Sequence, residues 1–531
     1  MKKNKGVFIC LSGNGGLNIN SIKRFIDIMA SFGYDNIELG LDDMFKIKEE
    51  PYFGYLRGGY SEFDLIDLDN YAKEKGIELI PSSQFLGHFG YLCKIPEYEN
   101  IIDIDDILLI DEPRTYVLIE NMFKTLRKCF SSKKINIAFD EAHRVGLGKY
   151  LDKHGYVDRF DLLLNHLNKV LAIAKNYGFS CHMWSDMFFK LANKGLYYDK
   201  DVVFSEDILK KVPKDIGLCY WDYYSNDRDL LDSMFKSHLQ FDRELYFAGS
   251  ISTCNGFAPS NIASLEKLKV QLEEARKFNI NNYLITLWPD NGNECSYFAA
   301  LPGLFKASLL IDGEKLDYKE KERFKDIVGV SYDDFLLLDE PNRSKVNPTL
   351  KEINLTCKSL LYNDPFLGWK DFELKKILPI DYEAMVKKFD DILPRIPKKY
   401  KTQYVKLREL CNCLVYKYDL GILTREAYQK GDKEELKKLL KRYDLACSSL
   451  IKFKNAFYKQ WMEENIPHGF DVQDIRLGGL YMRLKECKHR LNLYIKGKIK
   501  SIPELEEELL PYAKFDSMFN SYRGFATVRE I

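Results

Sequence analysis

Between Val7 and Asp312 this chain repeats one pattern eight times: a short β-branched or apolar run, a polar or glycine-containing loop, then a segment of helical period. The runs are Val7–Leu11, Asn36–Leu39, Glu78–Pro81, Ile135–Phe139, Ser180–Trp184, Ile216–Tyr220, Leu245–Ala248 and Asn282–Leu287. Helical patterns lie between them, among them Ser21–Phe32, Leu68–Lys75, Tyr116–Cys129, Arg159–Tyr177, Leu265–Phe278 and Phe298–Leu310. Eight such units predict a closed parallel barrel rather than an open doubly wound sheet, because no GxGxxG turn follows the first run. The Gly13-Asn-Gly-Gly16 loop also lacks the Lys-Ser/Thr ending of a phosphate loop. After Asp312 strand-like runs vanish. Long charged amphipathic segments replace them: Tyr382–Ile392, Lys401–Val415, Lys433–Phe457 and Ile475–Lys496. The expected fold is α/β, a (β/α)8 barrel over 1–312 followed by an all-α domain over 313–531, with Pro341–Pro348 as linker.

Charge and cysteine usage exclude several function classes. The 531 residues carry 79 Lys+Arg against 79 Asp+Glu, so the general attraction a nucleic-acid binder requires is missing. Lys/Glu runs such as Lys433-Glu-Glu-Leu-Lys-Lys438 read as solvated helix faces. The apolar run after Met1-Lys-Lys-Asn-Lys5 is too short for a signal sequence, and no stretch approaches the ~20 apolar residues of a membrane span. The 12 cysteines form no CxxC pair and no zinc-ligand spacing with the eight histidines. Reduced thiols, a cytoplasmic location, no cofactor, no metal, no nucleic acid and no membrane partner are the expectations.

In a parallel barrel the chemistry sits at the carboxyl ends of the strands. Those ends read Phe139-Asp140-Glu141-Ala142-His143, His182-Met183-Trp184-Ser185-Asp186, Tyr220-Trp221-Asp222-Tyr223 and Trp288-Pro289-Asp290, with Glu294 beyond. Aromatic rings beside carboxylates suit a sugar: its CH faces stack on rings while its hydroxyls need acceptors. Glycosidic cleavage further needs an acid for the leaving oxygen and a group that stabilises positive charge at the anomeric carbon. Asp140 and Glu141 can supply both, since adjacent carboxylates push one proton affinity upward.

Asn136-Ile-Ala-Phe-Asp-Glu-Ala-His-Arg-Val-Gly-Leu-Gly148 resembles the signature of glycoside hydrolase family 20 β-N-acetylhexosaminidases, in the branch with a helical C-terminal domain. Pro51–Ser61, Met183–Phe189, Tyr220–Tyr224, Asp290–Glu294 and Asp474–Gly479 resemble the same branch. The likeness spans essentially the whole chain, without the small domain many members carry before the barrel. It implies substrate assistance, in which the sugar's 2-acetamido carbonyl attacks its own anomeric carbon and no enzyme nucleophile is needed. Glu141 then matches the general acid/base, Asp140 the carboxylate that orients the acetamide, and Tyr220 the phenol that donates to its oxygen. Trp184 and Trp288 match walls of the terminal-sugar pocket, with Trp221 beside them. Asp222, Asp290 and Glu294 match or neighbour carboxylates that hold hydroxyls, and His88 a histidine near the catalytic pair. The helical region is expected to pack beneath or beside the barrel, and a homodimer contact is a candidate role for it.

Departures from the family pattern fall around the terminal sugar. Members place an Arg after the first strand, in a Ser-Arg-Asn setting; here it reads Ser12-Gly13-Asn14, which removes a bidentate donor. Ser252, Thr253 and Cys254 stand where relatives carry aromatic residues, and Pro289 replaces a Gly. An exo-acting enzyme on an oligosaccharide or glycoside, with altered terminal-sugar specificity, is the leading expectation. A non-catalytic sugar-binding relative and a two-carboxylate retaining glycosidase, with Asp222 or Asp290 as nucleophile, remain alternatives. A metal-dependent hydrolase is disfavoured because no ligand set such as a first-strand HxH appears.

Overall fold

The computed structural model describes residues 3–254, 256–511, 522–527 and 529. Its strands are β1 (Asn4–Cys10), β2 (Asn36–Gly40), β3 (Glu78–Ser82), β4 (Ile102–Ile104), β5 (Ile107–Leu108), β6 (Lys134–Asn136), β7 (Ser180–Trp184), β8 (Ile216–Trp221), β9 (Leu245–Ser250) and β10 (Asn282–Leu287). Eight of them close a parallel barrel in the order β1-β10-β9-β8-β7-β6-β3-β2, as the recurrence of apolar runs predicts. β4 and β5 form a small antiparallel hairpin outside it. The sequence reading did not include this hairpin, whose strands are too short for period-two alternation to register.

Contacts divide the chain into two compact units. The first comprises Met1–Ile251, Leu265–Leu287 and Leu304–Leu316; the second comprises Ser252–Ser264, Trp288–Gly303 and Asp317–Ile531. The segments after β9 and β10 thus group with the helical unit. Pro341–Pro348 lies inside that unit, and Asp339, Glu340, Pro341 and Asn342 are buried in a 3-10 turn, so this stretch is packed chain rather than the expected linker.

In the first unit the strands are buried on both faces, which explains their near-continuous apolar runs. Helices between them start on side-chain caps that satisfy otherwise orphaned N–H groups: Asn18 at Ile19–Phe32, Ser61 with a reciprocal Asp64 at Glu62–Glu74, and Asp158 at Arg159–Asn176. One polar cluster lies inside the barrel. Glu38 of β2 meets His182 Nε2 of β7 at 2.9 Å and accepts from Asn136 Nδ2 of β6 at 3.1 Å, tying three strands together. A buried carboxylate persists only when its partners satisfy it.

The second unit is helical among its described residues. Its helix Lys433–Glu464 packs against Lys398–Lys417 and Phe470–Ile495 through a core that includes Phe453, Phe457, Trp461 and Phe470. The Lys433–Lys438 run is solvated and pairs along the helix, Lys437 with Glu434 and Lys438 with Glu435. No described helix in either unit is long and apolar enough to cross a membrane.

Removing one partner from the barrel's polar cluster leaves an unpaired buried carboxylate. His182→Leu is expected to lower unfolding free energy by about 3–5 kcal/mol in urea titrations. A loss below about 1 kcal/mol would show that the cluster does not tie the strands.

Candidate active site

β6 ends at Asn136, three residues earlier than the sequence run suggests, because the chain then turns through left-handed backbone at Ala138 (φ 58°), Phe139 (φ 71°) and Glu141 (φ 55°). Non-glycine residues in that region cost about 1–2 kcal/mol each. Local bonds hold the turn: the Asn136 side chain accepts from Ala138 N–H at 2.9 Å, Trp184 N–H donates to Ala138 O at 3.0 Å, and Asp186 accepts from Glu141 N–H at 3.1 Å. Farther on, Asp103 of β4 accepts from the N–H groups of Gly146 and Tyr150 at 2.9 and 2.7 Å, so the hairpin anchors the loop that follows Glu141. Strain held in place by redundant bonds is characteristic of functional sites.

The turn brings Asp140 and Glu141 beside His88, itself left-handed at φ 59°. His88 Nε2 lies 3.2 Å from Asp140 Oδ2 and 3.8 Å from Glu141 Oε2. Gln84 Nε2 donates to Asp140 Oδ1 at 3.2 Å. Burial opposes a charge on His88, but the carboxylates of Asp140, Asp106 and Glu141 prevail and raise it to about 10. Burial would likewise raise Asp140, yet the charge and hydrogen bond of His88, helped by Gln84, hold it below the usual range. Glu141 goes the other way: burial and then the negative charge of Asp140 raise it, against the pull of Lys190 and His88. The two neighbouring carboxyl groups are thus shifted in opposite directions. Donor atoms of His88, Asp140 and Glu141 lie within 4.8 Å of one another, close enough to seat a cation; the contact between His88 and Asp140 is that of an ion pair.

Two further residues complete the cluster. Asp186 starts the helix Asp186–Ala192 and Lys190 lies one turn on, and their carboxylate and ammonium meet at 3.2 Å. Lys190 Nζ also reaches Glu141 Oε1 at 4.0 Å, and Trp221 Nε1 donates to Asp186 at 3.4 Å. A wholly buried Asp186 is raised by burial despite Lys190. Sequence reading missed Gln84, Asp186 and Lys190 as site residues. The i,i+4 spacing of an acid and a base at the end of β7 is the signal that could have found the last two.

Tyr220 and Asp222 form a neighbouring pair, both wholly buried, the phenol donating to Asp222 Oδ2 at 3.1 Å. N–H groups of Tyr224 and Ser225 hold the other carboxylate oxygen at 2.9 Å each. Burial raises both groups. Tyr197 links this pair to the first cluster, its hydroxyl accepting from Trp221 N–H at 3.2 Å and its ring 6.4 Å from that of Tyr220. Trp184 is only 2% exposed and packs edge-on against Phe8, whereas Trp221 is half-buried and stacks on Tyr223.

Trp288, Asp290 and Glu294 belong to the second unit. Trp288 is half-buried and Asp290 exposed. Glu294 is 2% exposed and engaged with two cations, Lys358 at 2.8 Å and Arg476 at 3.0 Å. Those cations also donate to Asn291 O, and Gln473 donates to Gly292 O, so the group pins its own loop.

Residues 333–522 match the model of the Glycoside Hydrolase 20C C-terminal domain. The match lies in the helical unit and leaves the barrel strands outside it. Among solved structures it resembles a β-N-acetylhexosaminidase from Bacteroides fragilis, at 17% identity and TM-score 0.45 over 60% of this chain and 68% of that one. It also resembles the Vibrio harveyi exo β-N-acetylglucosaminidase determined with N-acetylglucosamine, at 13% identity and TM-score 0.45 over 62% and 58%. The Streptomyces coelicolor β-N-acetylhexosaminidase matches at 12% identity and TM-score 0.44 over 62% and 69%.

If His88 is what keeps Asp140 ionised, His88→Leu will move the ionisation of Asp140 upward by about one pH unit or more. Difference infrared titration of the carboxyl bands, with Asp140→Asn to assign them, reads this without any substrate. An unmoved band would show that His88 is not the charge partner.

Proposed function

We propose that this glycoside hydrolase is an exo-acting β-N-acetylhexosaminidase that removes a terminal N-acetylhexosamine with help from the sugar's own acetamide. The observation that carries the reading is the split pair: His88 lies 3.2 Å from Asp140 and holds it below the usual carboxylate range, while burial and Asp140 raise the neighbouring Glu141. Acetamide assistance needs this division. Glu141 gives its proton to the leaving oxygen as the acetamide carbonyl oxygen closes on the anomeric carbon, and the Asp140 carboxylate accepts from the acetamide N–H, stabilising its growing positive charge. Water then attacks the anomeric carbon and passes a proton back to Glu141, with net retention.

Tyr220 serves as donor to the acetamide oxygen by turning its one O–H proton from Asp222, to which it donates at 3.1 Å, onto the sugar. Because Asp222 is engaged by Tyr220 and two backbone N–H groups, it is poorly suited to be a nucleophile. In the barrel unit Trp184 and Trp221 contribute to sugar binding, and His88 serves through Asp140. Glu294 contributes by holding the loop that carries Asp290, through Lys358 and Arg476. Gly13 in place of an Arg leaves the distal hydroxyls with one bidentate donor fewer, so the enzyme takes a differently configured or substituted terminal sugar. Short glycans in the cytoplasm are its substrates in this reading.

A matched fluorogenic panel tests the proposal: β-GlcNAc, β-GalNAc, their 6-substituted forms, and the β-glucoside and β-galactoside without the acetamide. Activity confined to N-acetylated sugars is expected. Glu141→Gln should lower turnover on poor leaving groups by about 10²–10⁴ while sparing activated aryl glycosides more. Asp140→Asn should lower kcat and kcat/KM together, because its charge interaction belongs to the transition state. Turnover of acetamide-free sugars would favour the two-carboxylate mechanism, and no turnover at all the non-catalytic binder.

A further inference from the structure

The same carboxyl group must serve first as an acid and then as a base, so its environment has to tolerate both protonation states. Charged groups reach Glu141 from three elements. His88, on the loop after β3, faces Oε2, and Lys190, on the helix Asp186–Ala192, faces Oε1, while Asp140, on the same turn as Glu141, adds its negative charge. Asp186 lies behind, bonded to Glu141 N–H, and His143 follows in the chain with Nε2 3.5 Å from Lys190 Nζ. Lys190 is 15% exposed, and its ammonium lies 6.0 Å above the Trp221 ring, so its position is fixed on several sides.

We infer that Lys190 is a positioning residue for the proton handled by Glu141: its ammonium, held from behind by Asp186, stands 4.0 Å from Oε1 and stabilises the carboxylate that acid catalysis leaves behind. The inference rests on the proposed activity. The negative charge of Asp140 favours the protonated acid, and Lys190 beside Oε1 keeps the carboxylate accessible for the second step. Cations thus approach both oxygens of the carboxyl group, His88 at Oε2 and Lys190 at Oε1. A cation favours the carboxylate form, so removing it raises the proton affinity of Glu141. The arm of the pH profile that reports loss of the protonated acid then moves to higher pH.

Lys190→Met tests this. On an N-acetylhexosaminide the alkaline arm of kcat/KM is expected to move up by about one pH unit, with kcat reduced, while Lys190→Arg keeps the wild-type profile. If the methionine variant does not fold, Lys190→Gln, which retains a donor for Asp186, carries the same expectation. A fall in kcat or in thermal stability with the alkaline arm unmoved would overturn the inference, because a merely structural lysine produces that result. Carbon-13 carboxyl titration of Glu141 in substrate-free protein, assigned with Glu141→Gln, reads the same shift directly. If the wild-type protein hydrolyses nothing but the titration still moves in Lys190→Met, the proposed activity fails and the charge coupling stands. An unmoved titration overturns the coupling whatever the activity.

Discussion

The contact between His88 and Asp140 at 3.2 Å decides what the rest of the site can do. Two adjacent carboxyl groups in a partly dehydrated pocket cannot both ionise freely, and the group that meets the cation takes the charge. With His88 and Gln84 on Asp140, that residue is held below the usual carboxylate range, while burial and Asp140 raise Glu141. Exchange of the partner would exchange the roles. The identity of the acid is therefore a property of the loop after β3 as much as of the Asp-Glu pair itself.

Placing the pair there demands unusual backbone. Three non-glycine residues between Ala138 and Glu141 take left-handed conformations, and His88 takes a fourth across the mouth. Bonds from Asn136, Trp184 and Asp186 hold the turn, while Asp103 on the hairpin secures the segment beyond it. Asp186 has a double duty: it fixes the Glu141 backbone and anchors Lys190 beside the Glu141 side chain. Local geometry and local electrostatics thus depend on one buried carboxylate.

Much of this was legible in the sequence, and the parts that were not share a cause. The eight barrel strands are apparent because buried parallel strands require continuous apolar runs. The Asp140-Glu141 pair is apparent from the chemistry expected at strand ends, and His88 from the family resemblance alone. The early end of β6 is hidden because left-handed turns without glycine leave no compositional mark; Asn136, Ala138 and Phe139 read like more strand. The Pro341–Pro348 stretch looks like a linker because its polar residues are buried by partners in the fold, as Asn342 is by the Cys357 N–H and Asn347 by the Glu352 carbonyl. Lys358 and Arg476 approach Glu294 from far along the chain, so no local pattern announces them. Lys190 was visible as an i,i+4 partner of Asp186, but its nearness to Glu141 exists only once β6 and β7 pair.

The central claim is that Asp140 stabilises a positively charged ring formed from the sugar's acetamide. The most direct measurement is calorimetric binding of a bicyclic thiazoline derived from an N-acetylhexosamine that the enzyme accepts, a stable mimic of that ring, to wild-type protein and to Asp140→Asn. The account predicts that wild-type protein binds the thiazoline at least about 10²-fold more tightly than the free sugar, as expected for a mimic of a high-energy state, and that Asp140→Asn loses most of that advantage. Equal affinity for thiazoline and free sugar, or an advantage unchanged by Asp140→Asn, would contradict it.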